Sequence, residues 1–267
     1  MTRKIRWGVL GCAGIAAKAV IPAIQSSRLG RVTAIASRDP GKATDMAARF
    51  GIASAYGSYE ALLADPDVDA IYNLLPNHLH VPLTVMAFEH GKPVLCEKPI
   101  SLDAAQAMEF SAAQKAAGLP VCEAFMVRHH PQWKKARALV AEGRLGEVRT
   151  IQTIFSYYLD DPANVRNQAG IGGGGMLDVG CYAVSTARYL FGAEPLRAIV
   201  LMERADLRHG PPDEWTAGIS RGKAAHFYLF HAACAHAEGD RAWNRWAPGN
   251  PDPLQPAGRQ TDVACAL

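Results

Sequence analysis

Three side chains in this sequence have the types and spacing to do chemistry together: Lys98, Asp178 and Tyr182. Lys98 closes the run Val94-Leu95-Cys96-Glu97-Lys98 and is followed by Pro99. The proline ring fixes the local backbone, so this lysine is placed and cannot drift as a surface lysine does. Asp178 and Tyr182 are four positions apart, which puts them on one face of a helix near its start. The run Gly172-Gly173-Gly174-Gly175 precedes that helix and lets the backbone come close to a ligand. Taking hydride from a secondary alcohol requires a group that accepts the hydroxyl proton. A tyrosine with its ordinary pKa of ~10 is a weak base, but a neighbouring ammonium stabilises the phenolate, and Lys98 is expected to lower the pKa of Tyr182 in this way. Asp178 would then orient Lys98 or hold a second substrate hydroxyl. Plainer readings stay open: Tyr182 as a packed helix tyrosine, and Asp178 as a carboxylate stabilising a helix N-terminus.

The background to these residues excludes several classes. With 267 residues, 49% hydrophobic and 20% charged, the chain is long enough for two domains and a sizeable core. Lys+Arg 28 against Asp+Glu 25 gives a formal charge of +3, and the basic residues are scattered except at Lys134, Lys135 and Arg137, so no nucleic acid partner is expected. Met1-Thr2-Arg3-Lys4 runs directly into an apolar strand, with no cleavable apolar region and no long apolar stretch. The expectation is a cytoplasmic protein without membrane contact. Cys12, Cys96, Cys122, Cys181, Cys234 and Cys265 lack metal-ligand spacing; reduced, buried thiols and no metal are expected.

A scaffold must position the reactive residues, and the first half of the chain reads as one. Ile5 to Leu10 is strand-like, and Gly11-Cys12-Ala13-Gly14-Ile15-Ala16 turns it into a helix running toward Arg28. Free N–H groups and a positive dipole end at such a turn suit a pyrophosphate. Ala13 and Ala16 stand where the glycine fingerprint has glycines, and a methyl group still allows close approach. A second strand, Val32 to Ser37, ends in Ser37-Arg38-Asp39. Arg38 beside Ser37 suits a 2′-phosphate, because a guanidinium pairs with phosphate bidentately, whereas Asp39 would take a 2′-hydroxyl. NADP is therefore favoured over NAD, with a merely solvated Arg38 as the plainer alternative. Helices over 42–50, 59–64, 78–90 and 102–117 then alternate with strands at 54–56, 70–75, Val94 and Val121. That alternation predicts an α/β doubly wound parallel sheet with ligands at the carboxyl ends of its strands, where Pro76-Asn77 and Glu97-Lys98 fall. The second half differs. Val148 to Tyr158 alternates as a half-exposed antiparallel strand does, and 197–202 and 215–219 look similar.

Four motifs in order, Gly11-Cys12-Ala13-Gly14-Ile15-Ala16, Pro76-Asn77-His78-Leu79-His80, Glu97-Lys98-Pro99 and Gly173-Gly174-Gly175-Met176-Leu177-Asp178-Val179-Gly180-Cys181-Tyr182, make the chain resemble the Gfo/Idh/MocA oxidoreductases over roughly residues 5–220. The resemblance implies a Rossmann domain followed by an α+β domain with a large, mostly antiparallel open sheet that often forms the interface of a homo-oligomer. It implies hydride transfer between NADP or NAD and a substrate carbon, with Lys98 as the catalytic lysine and Asp178 as the acid of the glycine-rich helix. Where many members have histidine, this chain has Tyr182, which resembles the branch of glucose–fructose oxidoreductase, xylose dehydrogenase and dihydrodiol dehydrogenase; a sugar or cyclic diol is the expected substrate. Cofactor contacts are expected from Gly11, Ala13, Gly14, Ile15, Ser37, Arg38, Pro76, Asn77, His80, Glu97 and Lys98, although His80 has a packing or capping alternative. Arg128, following a strand-like Phe125-Met126-Val127, and Arg166 are expected with Asp178 at the substrate. His129, His130 and Asn164 are weaker candidates, since loop side chains are often only solvated.

The expected domains are 1–123 for the cofactor, an incomplete 124–226 for substrate and dimerisation, and an aberrant tail over 227–267. After about His226 the alternation fades, and 231–267 is rich in Ala, Arg, Pro, Trp and Gly without helical or strand period. A shifted reading frame is the expected origin. Back-translating from Phe227 and moving one base forward, with synonymous codons chosen freely, allows fragments that resemble the family's continuation. His226, His231, Cys234 and His236 are too irregularly spaced for a metal site. On this reading the substrate sheet lacks strands and keeps an open edge, so cofactor binding would survive while turnover and dimerisation fail. Two other activities remain open: a hydrolase or lyase that oxidises its substrate transiently, and a cofactor-binding protein without turnover.

Overall fold

In the computed structural model, β1 (Ile5–Leu10) pairs in parallel with β2 (Gly30–Ala36) on one side and β4 (Ala70–Asn73) on the other. Adding β3 (Ser54–Tyr56), β5 (Val94–Cys96) and β6 (Val121–Glu123) completes a six-stranded sheet, all parallel, in the order β3-β2-β1-β4-β5-β6. The structure describes residues 3–159, 161–195 and 198, with 156, 158 and 224–232 at the backbone only. Between β1 and β4 the strand order reverses, and a crevice opens there at the carboxyl ends.

Successive residues of one strand serve opposite cores. Val9, Ile35 and Tyr72 pack with Ile21 on one face, while Leu10, Ala34 and Ile71 pack with Leu62, Val81, Phe88 and Phe110 on the other. Strands covered on both faces need apolar residues at consecutive positions, which is why β1 from Trp7 and β4 up to Tyr72 carry no charged residue. Each large aliphatic side chain fully buried this way contributes about 1.5–3 kcal/mol. Around the sheet lie α1 (Ile21–Ser26), α2 (Pro40–Phe50), α3 (Tyr59–Leu63), α4 (His80–Glu89) and α5 (Ala104–Ala117). The start of α2 falls two residues before the expected one, because Asp39 Oδ1 accepts from the N–H groups of Gly41 (3.0 Å) and Lys42 (3.2 Å) and Pro40 is preset for the first turn. Ser58 and Asp103 cap α3 and α5 in the same manner.

Beyond the sheet, Phe125-Met126-Val127 is not a strand. Met126–Arg128 forms a 3₁₀ turn, closed by Arg128 N–H donating to Phe125 O (3.1 Å), and leads into α6 (Pro131–Ala141). Phe125 packs inward beside this turn, while Met126 is 55% exposed. β7 (Thr150–Tyr158) follows, then a π-helical turn at Met176–Gly180, α7 (Cys181–Phe191) and β8 (Ala224–Ala232). β7 and β8 run parallel, Thr150 opposite Ala224 and Tyr158 opposite Ala232, where antiparallel pairing was expected of this strand. The alternation in β7 reports one covered face and not a direction: Ile151 packs on Ala183 and Ala187 of α7, while Ile154 on the other face is 69% exposed. The expected strands at 197–202 and 215–219, and the tail beyond Ala232, lie outside the described residues; the backbone of β8 runs through the expected boundary at 226/227.

Among the described residues no helix is long and apolar enough to cross a membrane, and no cluster of three metal-ligating side chains forms. Cys12, Cys96, Cys122 and Cys181 are free; Cys96 is buried, but Cys122 is exposed, contrary to the expectation of burial.

Candidate active site

The crevice beside β1 is built largely from backbone. Gly11 donates its N–H to Ala36 O (2.8 Å) and sits at φ +106°, where other residues are strained, and a side chain there would press on Leu75 at 3.1 Å. Gly14 has nothing within 4 Å of where its Cβ would be. A cleft of about 270 Å³ is walled by Gly11, Cys12, Ala13, Ser37, Arg38, Asp39, Lys42, Tyr59, Leu74, Leu75 and Pro76. Ile15 stands 42% exposed in the turn that follows. At the far end of the cleft Asp39 is engaged as the cap of α2, and Ser37 Oγ accepts from Asp39 N–H (3.1 Å). Arg38 is exposed and has no carboxylate partner among the described residues. Lys42, 3.8 Å from Asp39 Oδ2, brings a second cation. A backbone cradle with two cations at one end fits a dinucleotide carrying a 2′-phosphate. Lys42 escaped the sequence reading, which stopped at the strand end; the capping by Asp39 is what brings the first turn of α2 against the cleft.

The second cluster is built from side chains. After β5, Glu97 N–H donates to Asn73 O (2.8 Å) and Tyr72 OH donates to Glu97 Oε1 (2.6 Å); the Lys98–Pro99 peptide is cis. Lys98 Nζ donates to Asp178 O (2.5 Å) and Asp178 Oδ1 (3.4 Å). Arg166 Nε lies 3.1 Å from the same Oδ1, and Tyr157 OH donates to Oδ2. Both carboxylate oxygens are thus occupied, which matches Asp178 orienting Lys98 and leaves it poorly placed to hold a second hydroxyl. Burial pushes the Asp178 carboxyl up, but Tyr157, Lys98 and Arg166 outweigh it and the net direction is down.

Tyr182 departs from expectation. Lys98 Nζ lies 4.9 Å from its ring centroid, over the face, while the phenol OH reaches Met126 Sδ at 3.6 Å. Phe125 meets the ring edge-on at 5.4 Å and Phe155 stacks on it at 6.4 Å. Burial first, then Cys181, Glu97 and Asp178, raise the phenol pKa instead of lowering it. An ammonium over the ring face stabilises a phenolate oxygen less than one at the hydroxyl, and desolvation penalises the anion more. The phenol is held as a proton donor. Burial also pushes the thiols of Cys181 to about 11 and Cys96 to about 12, so neither is a nucleophile.

The remaining expected residues divide. Pro76 lines the cleft, but the Asn77 amide is committed elsewhere: its Nδ2 donates to Gly172 O (2.7 Å) and docks the glycine run onto the first sheet. His80 is 1% exposed, with Nδ1 and Nε2 each 2.7 Å from a carbonyl oxygen, of Pro99 and Leu75 respectively. It lies behind the site and does not reach the cleft, in contrast to the expected cofactor contact. Arg166 joins Asp178, whereas Arg128 lies 5.7 Å from the Tyr189 ring centroid with Arg137 at 4.7 Å. Asn164 caps its own turn through Arg166 N–H (3.1 Å), His130 caps α6 and His129 is exposed. Tyr157 and Met126 were not foreseen. The period of β7 held the signal for Tyr157, since Ile151, Phe155 and Tyr157 share the face that α7 covers.

Family models described as the oxidoreductase family with NAD-binding Rossmann fold and as the GFO/IDH/MocA C-terminal domain match residues 5–125 and 133–244. An uncharacterised oxidoreductase of Rhizobium meliloti is 45% identical over 74% of this chain and 60% of its own length. The NADP(+) D-xylose 1-dehydrogenase 2 of Haloferax volcanii is 46% identical over 70% of this chain and 57% of its own. The chain thus spans less than two thirds of the length of either relative. Among solved structures, KijD10, a 3-ketoreductase of Actinomadura kijaniata in complex with NADP and TDP-benzene, superposes with TM-score 0.78 at 35% identity over 86% of this chain and 70% of that one. The aldose-aldose oxidoreductase of Caulobacter crescentus, complexed with glycerol, gives TM-score 0.77 at 30% identity over 86% and 71%. KijD10 has also been solved with a lysine or a tyrosine replaced, at positions separated by as many residues as Lys98 and Tyr182. With both halves matched in order, the chain belongs to the GFO/IDH/MocA family of oxidoreductases.

Proposed function

We propose that this protein transfers hydride between NADP, in preference to NAD, and a hydroxyl or carbonyl carbon of a sugar or cyclic diol. The observation that carries the reading is the meeting of Lys98, Asp178 and Tyr182 at the carboxyl edge of the sheet that also bears the dinucleotide cleft. The nicotinamide, when bound, supplies or accepts the hydride. The Gly11–Ile15 turn would cradle the pyrophosphate, and Arg38 and Lys42 would hold the 2′-phosphate. Tyr182, kept protonated by burial, donates its proton to the oxygen of a carbonyl under reduction and regains one from water; in the reverse direction the phenol gives its proton to water first, and the phenolate then takes the hydroxyl proton. Lys98, fixed by Asp178, sets its side-chain nitrogen against the ring and limits the cost of the phenolate left behind. The xylose dehydrogenase of Haloferax and the paired lysine and tyrosine spacing in KijD10 support the substrate class and the roles.

Fluorescence titration with NADPH and NADH, followed by an absorbance assay with D-xylose, D-glucose and trans-dihydrodiols, tests this. NADP-dependent turnover that falls about 10²–10⁴-fold in Lys98→Ala is expected. Tight NADP binding with no turnover by the wild type would replace the reading with a cofactor-binding protein, and substrate cleavage without net nicotinamide reduction would replace it with a lyase or hydrolase. We also infer a cytoplasmic homo-oligomer that pairs through the exposed face of β7, where Ile154 lies; sedimentation of the purified chain measures its oligomeric state.

A further inference from the structure

The chain leaves the sheet at Cys96, whose carbonyl accepts the ladder bond from Ala124 N–H (2.7 Å). From Glu97 to Ile100 little of the backbone is held by other backbone. Pro99 has no N–H, and Lys98 N–H reaches only Glu97 Oε2 at 3.4 Å. Two side chains close this gap, one from the helix that follows β4 and one from the end of β6. His80, at the start of α4, places Nδ1 2.7 Å from Pro99 O, and Glu123, at the end of β6, accepts Ile100 N–H through Oε1 at 2.7 Å. His80 also places Nε2 2.7 Å from the carbonyl of Leu75, a wall residue of the cleft. Neither His80 nor Glu123 makes another side-chain hydrogen bond among the described residues.

We propose that His80 and Glu123 are positioning residues for Lys98: they clamp the carbonyl and the N–H of the two residues that follow it, one from the start of α4 and one from the end of β6. The inference rests on the reading of Lys98 as the working lysine. Lys98 must span from the end of β5 to Asp178, 80 positions later, and a long side chain delivers its ammonium to one place only if its Cα is fixed. The Asp178 contact cannot fix the Cα itself, because the methylene chain of a lysine absorbs displacement. The link from His80 to Leu75 further ties the lysine turn to the wall of the cofactor cleft, so the two halves of the site hold a constant separation.

Limited acetylation of the full chain with acetic anhydride, read peptide by peptide by mass spectrometry, tests the clamp without needing a substrate. In the wild type Lys98 is shielded, with 14% of its side chain exposed. Lys92, 7% exposed and donating to Asp65 O and Val68 O, reports general loosening, and the exposed Lys42 reports reagent strength. Glu123→Ala should raise Lys98 labelling about tenfold with Lys92 unchanged, because only the local turn opens. Glu123→Gln, whose carbonyl accepts the same bond, should stay within about twofold of wild type. His80→Phe, which keeps a ring and removes the polar contact, should raise Lys98 labelling alone, and it carries the test if Glu123→Ala does not fold. Wild-type labelling of Lys98 in both variants, or Lys92 rising in step with Lys98 in His80→Phe, would overturn the proposal. Because labelling does not require turnover, its failure leaves the oxidoreductase reading standing, and an inactive protein leaves this test intact.

Discussion

At the carboxyl ends of the six-stranded sheet, the cleft beside Gly11 is walled by a glycine turn, the strand end Ser37-Arg38-Asp39, Lys42 and apolar side chains. Lys98, Asp178, Tyr157 and Arg166, none of which walls that cleft, are held by one another's side chains. The two regions differ in how far apart their parts are in the chain. The cleft is drawn from four short stretches of one repeating strand and helix pattern, whereas Lys98 and Asp178 are separated by 80 positions. A backbone-built site is specified by local turn geometry and tolerates much change in side chains. A site built from side chains is only as good as the docking of the two units that carry it. Here that docking includes Asn77 on Gly172.

The sharpest way to break the comparison is Asp178→Asn, which keeps an acceptor for Tyr157 and removes the charge between Lys98 and Arg166. Turnover should fall about 100-fold through loss of lysine placement, while NADP affinity stays close to wild type. Stability at neutral pH should drop by about 1–3 kcal/mol. Because the folded carboxyl lies below its ordinary value, its contribution is complete above the unfolded pKa of ~3.9 and is lost as the pH falls through the folded value. Denaturation curves of the two proteins should therefore converge as the pH drops below about 4. A stability gap that persists unchanged in acid would show that the charge is not what Asp178 contributes. Arg38→Ala has a smaller, selective effect: NADP binding should weaken about tenfold and NAD binding should not change, measured by the same fluorescence titration. Equal losses for both cofactors would mean that Arg38 shapes the cleft and does not read the phosphate. Asp39→Ala should do least, removing the cap of α2 at a cost of about 1 kcal/mol in chemical denaturation and leaving the cofactor preference alone. A switch toward NADP in that variant would instead make Asp39 a reader of the ribose.

Much of the first unit was legible because its signals are local. β1 and the strand Ser54–Tyr56 fall at the expected residues, since a glycine turn, Gly11 or Gly57, follows each of them directly. Where boundaries moved, a side chain moved them, as Asp39 does for α2. In the second unit the same kind of signal misled. Phe125-Met126-Val127 has strand composition but sits in a turn that packs Phe125 against the Tyr182 ring, and the period of β7 could not tell a parallel partner from an antiparallel one.

By itself the sequence determined the parallel scaffold, the glycine turn, the cation beside it and the identity of Lys98, Asp178 and Tyr182, because strand period, turn chemistry and residue type are properties of neighbouring positions. Only the tertiary structure decided which donors fill Asp178, that Lys98 lies over the face of Tyr182 and not at its hydroxyl, that burial raises that phenol, and that the side chains of Asn77 and His80 meet backbone carbonyls. Each of these depends on distance and desolvation between segments far apart in the chain, and a pKa or a free donor is a property of that environment and not of the residue.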